Sequence, residues 1–103
     1  MTFAFHPEAR AEFREAALWY EEQRPGLGER FQRTVRRTVD SILTDPLRFR
    51  PVGAGVHVCR VAGFPYQVFY TLEAARALVR IYAVMHDKRR PDYWRERVAP
   101  GSA

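Results

Sequence analysis

The chain is short of cysteine, lysine and long apolar runs, and each shortage removes a class of protein. A lone Cys59 closes no internal disulfide, and His6, His57 and His86 show none of the clustered spacings of zinc sites. Neither a disulfide scaffold nor a metal fold is expected, and no cofactor is implied. His57-x-Cys59 on one strand face is the nearest approach to a ligand pair, and nothing in the sequence completes it. No apolar run approaches the ~20 residues of a spanning helix. The opening MTFAFHPEAR lacks a basic-then-apolar leader. The expectations are therefore no membrane span, no secretory signal and a cytoplasmic location. Lys88 is the only lysine among 17 basic residues, the rest being arginine. A GC-rich genome produces that bias, and so does a need for guanidinium forks that grip phosphate or carboxylate.

What remains is 103 residues with 47% hydrophobic and 14% aromatic content, enough for one core. A single domain over residues 1–98 is expected, followed by a flexible tail over 99–103. The net charge of +5 calls for an anionic partner. That charge is uneven: residues 1–29 hold three Arg against six Glu, whereas the remainder holds 14 basic against six acidic residues.

Residues 2–5 alternate, with Phe3 and Phe5 on one side, and Pro7 suits the first turn of a helix. Ala9, Phe13, Ala16, Ala17 and Tyr20 form one helical stripe, with the glutamates largely off it, so a helix should run to about Gln23. Arg24 to Gly28 breaks it. Leu27, Phe31, Val35, Val39, Ile42 and Leu43 mark a second helix to about Thr44, ended by Asp45-Pro46. The pair reads as an αα-hairpin with an acidic and a basic arm. After a loop from Leu47 to Gly55, strands are expected at Val56 to Val61, Tyr66 to Leu72 and Leu78 to Met85, close enough for antiparallel hairpins. The fold class is α+β: a short N-terminal strand, an αα-hairpin and a three-stranded antiparallel meander, with both helices on one sheet face.

Alternation assigns Val79, Ile81, Ala83 and Met85 to the helix side of the last strand. Leu78, Arg80, Tyr82, Val84 and His86 then face outwards. In the preceding strand Val68, Tyr70 and Leu72 make the core set, leaving Gln67, Phe69 and Thr71 outside. Arg60 is placed outside because an unpaired buried guanidinium is costly. The expected outer face carries Arg60, Arg80 and His86 among Val58, Phe69 and Tyr82, beside Lys88-Arg89-Arg90. Such a surface fits stacked bases and phosphates, or an amphipathic acidic peptide, or serves only cross-strand pairing. RNA cleavage by an adjacent 2′-OH needs a base, an acid and cations, but no metal. His86 suits proton transfer near neutral pH, Arg60, Arg80 and Arg89 could stabilise charge, and Tyr93 could be a second proton-transfer group. A histidine closing a strand equally serves as a hydrogen-bonding cap.

The chain resembles the RelE/ParE superfamily of toxins from type II toxin-antitoxin modules, historically called plasmid stabilisation proteins. The resembling residues are His6-Pro7-Glu8-Ala9, Trp19-Tyr20-Glu21, Gly26-Leu27-Gly28 with Phe31, and Asp45-Pro46. They continue with Phe64-Pro65-Tyr66, Tyr70, Val84-Met85-His86 and the ending Arg89 to Arg97. The resemblance implies a growth-arresting toxin of RelE/ParE-like fold, neutralised by an acidic antitoxin that wraps around it. It also implies that operator DNA is reached only through the antitoxin. The antitoxin-binding residues are expected to be Val58, Arg60, Phe69, Arg80, Tyr82 and Val84. The long helical hairpin and the Pro-x-Tyr-Trp ending favour the ParE-like branch, whose members inhibit DNA gyrase. RelE-like members cleave mRNA in the ribosome, and in that case His86, Arg80, Arg60, Arg89 and Tyr93 would be catalytic. A non-toxic nucleic-acid-binding domain is the third reading.

Overall fold

A computed structural model describes residues 1–90 and 92–98; Pro91 and the tail expected over 99–103 lie outside the described residues. Strand β1 (Thr2–Phe5) leads directly into helix α1 (Pro7–Gln23). Pro7 sits in its first turn, where a missing N–H is harmless, and the His6 Nδ1 accepts the Glu8 N–H at 3.2 Å. Gly26, at φ +88°, permits the reversal into helix α2 (Leu27–Thr44). Its own side chain can cap nothing, so the Glu21 carboxylate reaches across the turn and accepts the Gly26 and Gly28 N–H groups. The helices touch closely there. A Cβ on Gly28 would lie 2.4 Å from the Ala17 carbonyl oxygen.

The chain then forms β2 (Arg50–Gly53), β3 (Val56–Arg60), β4 (Tyr66–Glu73) and β5 (Leu78–His86), and ends its described part with the short helix α3 (Arg95–Val98). The sheet has five strands in the order β1-β5-β4-β3-β2, antiparallel except where β1 pairs parallel to β5. Both helices and the three expected strands stand where their periodicities put them. Strand β2 is the addition: Arg-Pro-Val-Gly has no alternation to reveal it, and it forms by pairing with β3 across a register shift at Pro51/Gly53. The loop expected from Leu47 to Gly55 is therefore partly strand, and the meander has four strands.

Ala9, Ala16, Ala17 and Tyr20 of α1 meet Phe31, Val35, Val39 and Ile42 of α2 over Val68, Tyr70, Val79, Ile81 and Val84. In this layer the Tyr70 hydroxyl donates to the Pro46 carbonyl at 2.6 Å, fixing the exit from α2 to the sheet. A bulge in β5 corrects the expected facing of its second half. Phe69 pairs with Ala83 but Tyr70 with Ile81, so Tyr82 is the extra residue and the alternation slips by one. Val84 thereby turns into the helix-side core, while Ala83 and Met85 turn to the opposite face.

Gly28→Ala should destabilise the protein by about 1–3 kcal/mol, because the new methyl meets backbone that cannot move away alone; urea unfolding measures this. Burial, followed by the charges of Cys59 and Asp45, pushes the Tyr70 phenol up to about 12. The folded state thus favours the neutral phenol over an unfolded value near 10. Its stabilisation is complete below about pH 10 and disappears as pH rises through 12. Tyr70→Phe should cost about 1 kcal/mol at pH 7 and lose less stability than the parent between pH 9 and 12. An equal alkaline loss in both proteins would assign the effect elsewhere.

Candidate functional site

Strand β1 ends opposite Ile81, so β5 has no strand neighbour on that side beyond it. Backbone groups left there need other partners. The Val84 N–H donates to Glu12 Oε1 at 3.0 Å, and the Tyr82 carbonyl accepts from Arg97 Nη1 at 2.9 Å. Glu12 and Arg97 are themselves joined through both oxygens and both terminal nitrogens, each contact 2.9 Å. Such a two-pronged pair is the strong form of a charge-assisted hydrogen bond. The Tyr93 hydroxyl donates to Glu12 Oε2 at 2.5 Å. Burial lowers the tendency of Arg97 to carry its proton, but the hydrogen bond and charge of Glu12, with smaller contributions from Tyr93 and Glu8, outweigh it and raise its pKa. Tyr93 is pushed far above the usual tyrosine range, first by burial and then by the Glu12 hydrogen bond.

This anchor brings residues 92–98 across the sheet face away from the helices. Trp94, 1% exposed, stacks on Phe69 with ring centres 5.4 Å apart, above Val56, Val58, Ala83 and Met85. Arg95 covers the outer side of the indole at 4.7 Å and donates to the Val52 carbonyl. The open face expected from the alternation is thus a second small core. Val58 and Phe69 lie beneath Trp94, and Val84 lies in the helix-side core, so none of the three is exposed as expected. Tyr82 remains partly exposed in the bulge.

The five residues expected to act on RNA do not all gather: Arg89 lies near both His86 and Tyr93, whereas Arg60 and Arg80 stand apart. Arg60 holds Asp87 through two contacts of 3.3 and 2.9 Å, and Gln67 donates to the same carboxylate. The Arg60 and then the Gln67 hydrogen bonds hold Asp87 below the usual carboxylate range. Arg80 pairs with Glu73 at 3.2 Å. It sits at the other end of β5 from His86, about 20 Å away at the rise of a strand. The His86 Nδ1 accepts the Lys88 N–H at 3.0 Å, and its ring stands edge-on to Tyr66. Arg89 lies over the Tyr93 ring at 4.3 Å. His86 and Arg89 do share a cleft of about 270 Å³ with Glu12, Glu15, Trp19 and Tyr66, whereas Arg60 and Arg80 are absent from it. Among the described residues no three His, Cys, Asp or Glu side chains converge to hold a metal ion. The His57 Nδ1 is 2.8 Å from the Phe49 carbonyl.

Glu12 and Arg97 escape a reading by composition, since both look like members of solvated charge runs. The signal is spacing: Glu12 follows Ala9 by three residues and precedes Ala16 by four, which places it on the buried stripe of α1. A family model described as the ParE toxin of the type II toxin-antitoxin system, parDE, matches residues 3–91. The matched stretch covers α1, α2 and, Thr2 apart, the five strands, and stops short of Tyr93, Trp94 and Arg97. No curated protein matches the chain.

Glu12→Gln should destabilise the protein by about 2–3 kcal/mol, because it leaves the buried Arg97 guanidinium with only the exposed Glu8 carboxylate, 3.3 Å from its Nε, as counter-charge. Replacing Glu29 by Gln, which breaks an exposed pair with Arg33, should change stability by no more than about 0.5 kcal/mol. The double variant Glu12→Met with Arg97→Met should regain part of the loss. Equal effects of Glu12→Gln and Glu29→Gln in denaturant unfolding would refute the buried anchor.

Proposed function

The chain belongs to the ParE toxin family of type II toxin-antitoxin systems, and on that premise we propose that it arrests growth by binding DNA gyrase rather than by cutting RNA. The observation that carries this reading is where the proton-transfer and cationic groups are engaged. Tyr93 is held neutral with its hydroxyl on Glu12, and the His86 Nδ1 already accepts a backbone N–H. Arg60 and Arg80 are bound to carboxylates on separate parts of the sheet. In-line cleavage needs a base, an acid and charge stabilisation around one phosphate. A binding toxin needs only a rigid surface.

Neutralisation by an acidic antitoxin in the cytoplasm is part of the same proposal. Of the residues expected to receive the antitoxin, Arg60 is exposed and Arg80 and Tyr82 are partly so. Val58 and Phe69 become available only when the segment bearing Trp94 lifts, and Val84 is held under α1. One observation favours the ribosome-dependent endoribonuclease: the cleft that joins His86 and Arg89 with Tyr66 and Glu15.

Induced expression should produce gyrase-dependent DNA breaks, and the purified protein should inhibit supercoiling. His86→Ala and Arg80→Ala should retain toxicity within about twofold, since a toxin that acts by binding gyrase asks no bond-breaking of either group. Growth arrest with intact DNA, unaffected supercoiling and mRNA cut at ribosome-bound codons would transfer the function to the endoribonuclease reading. Co-expression of the product of the adjacent reading frame should restore growth if it is the antitoxin.

A further inference from the structure

We infer that the outer face of α2 binds the phosphate backbone of duplex DNA directly, without an antitoxin and whichever enzyme the toxin arrests. Helix α2 buries Phe31, Val35, Val39 and Ile42 against α1 and the sheet. At 100° per residue, Arg30, Arg33 and Arg37 lie within about 60° of one another on the opposite side. All three are exposed. Arg30 and Arg37 form no ion pair among the described residues. Arg33 holds Glu29 at 2.8 Å, but the two side chains are 57% and 72% exposed, so this pair contributes little and yields to a stronger anion. Asp40, the other acid of the helix, is taken by Arg36 on the flank.

Spacing and surroundings select the anion. Seven residues of helix rise about 10.5 Å, so Arg30, Arg33 and Arg37 present three guanidinium groups along one line of that length. One strand of a duplex carries a phosphate about every 3.4 Å of its axis, and three such steps cover the same distance. Each guanidinium fork can take phosphate oxygens two at a time. Every exposed side chain of α2 is polar. An unpaired base therefore finds no aromatic ring to stack on, and a peptide finds no apolar surface to pack against. A regular row of phosphates needs neither. Contacts of this kind hold the backbone and read no base sequence.

The test follows the anisotropy of a fluorescent duplex of about 20 base pairs with the full chain between about 50 and 200 mM salt, without gyrase or antitoxin. Three phosphate contacts predict a slope of about −2.7 in log K against log[salt], unchanged when the base sequence is scrambled. Arg30→Gln, Arg33→Gln and Arg37→Gln together should remove most of that slope and weaken binding about tenfold or more at the lowest salt, with the urea midpoint unchanged. Replacing Arg10, Arg14 and Arg76 by Gln removes the same charge from exposed positions elsewhere and should weaken binding less than about threefold. Equal losses in the two triple variants would reduce the effect to net charge and overturn the inference. Absence of duplex binding at the lowest salt, tighter binding of a single strand of the same length, or equal binding of polyglutamate would overturn it too. The readout involves neither supercoiling nor growth, so its failure leaves the gyrase reading standing, and the converse holds.

Discussion

The contact between Glu12 and Arg97 governs the structure beyond the end of β1. Without it, the Val84 N–H and the Tyr82 carbonyl would face a strand edge with no partner, and Tyr93 would lose its acceptor. The bulge at Tyr82 and the fold-back of residues 92–98 are therefore parts of one solution. The bulge turns Ala83 and Met85 away from the helices, which creates an apolar surface, and the ion pair brings Trp94 over that surface. A buried charge pair is weak evidence of stability by itself, since desolvation opposes the Coulomb gain. Here its contribution is positional: it determines where a whole segment lies.

The basic excess consequently divides into groups with different tasks. Arg97 is structural, Arg60 and Arg80 hold neighbouring carboxylates on the sheet, and Arg95 roofs the indole. Arg33 and Arg36 of α2 hold Glu29 and Asp40 at the surface, and Arg36 also lies against the Phe3 ring of β1. Net charge alone would not separate these groups. Their neighbours do. Among the described residues no helix is long and apolar enough to cross a membrane.

Much of this was legible in the sequence. The stripes of α1 and α2 have the 3.6-residue period over more than four turns, and Pro7, Gly26 and Pro46 punctuate them, so both helices stand where expected. The facing of β4 was equally readable, because Val68 and Tyr70 alternate with Gln67 and Thr71. The slip in β5 was not: Tyr82-Ala83-Val84-Met85 is apolar throughout, and a pattern without polar residues cannot mark where alternation breaks. Strand β2 is stabilised by its neighbour rather than by its own composition. The covering of the outer face depends on a tertiary contact between residues 85 positions apart, to which periodicity is blind. Trp94 in a charged ending was the visible hint that some apolar surface awaited it.

The 85-residue span between Glu12 and Arg97 also has a meaning in time. During synthesis α1 leaves the ribosome early, with its Glu12 carboxylate still solvated and the β5 edge not yet made. Local helical contacts can form at once, whereas the pairing of β1 with β5 and the closing of residues 92–98 must wait until residues 78–98 have been made. The outer face stays unroofed during that interval, with Val58 and Phe69 emerging before Trp94 can reach them. The roofed surface is thus acquired only after β5 and its anchor are made, and a nascent copy stalled before Arg97 cannot present it.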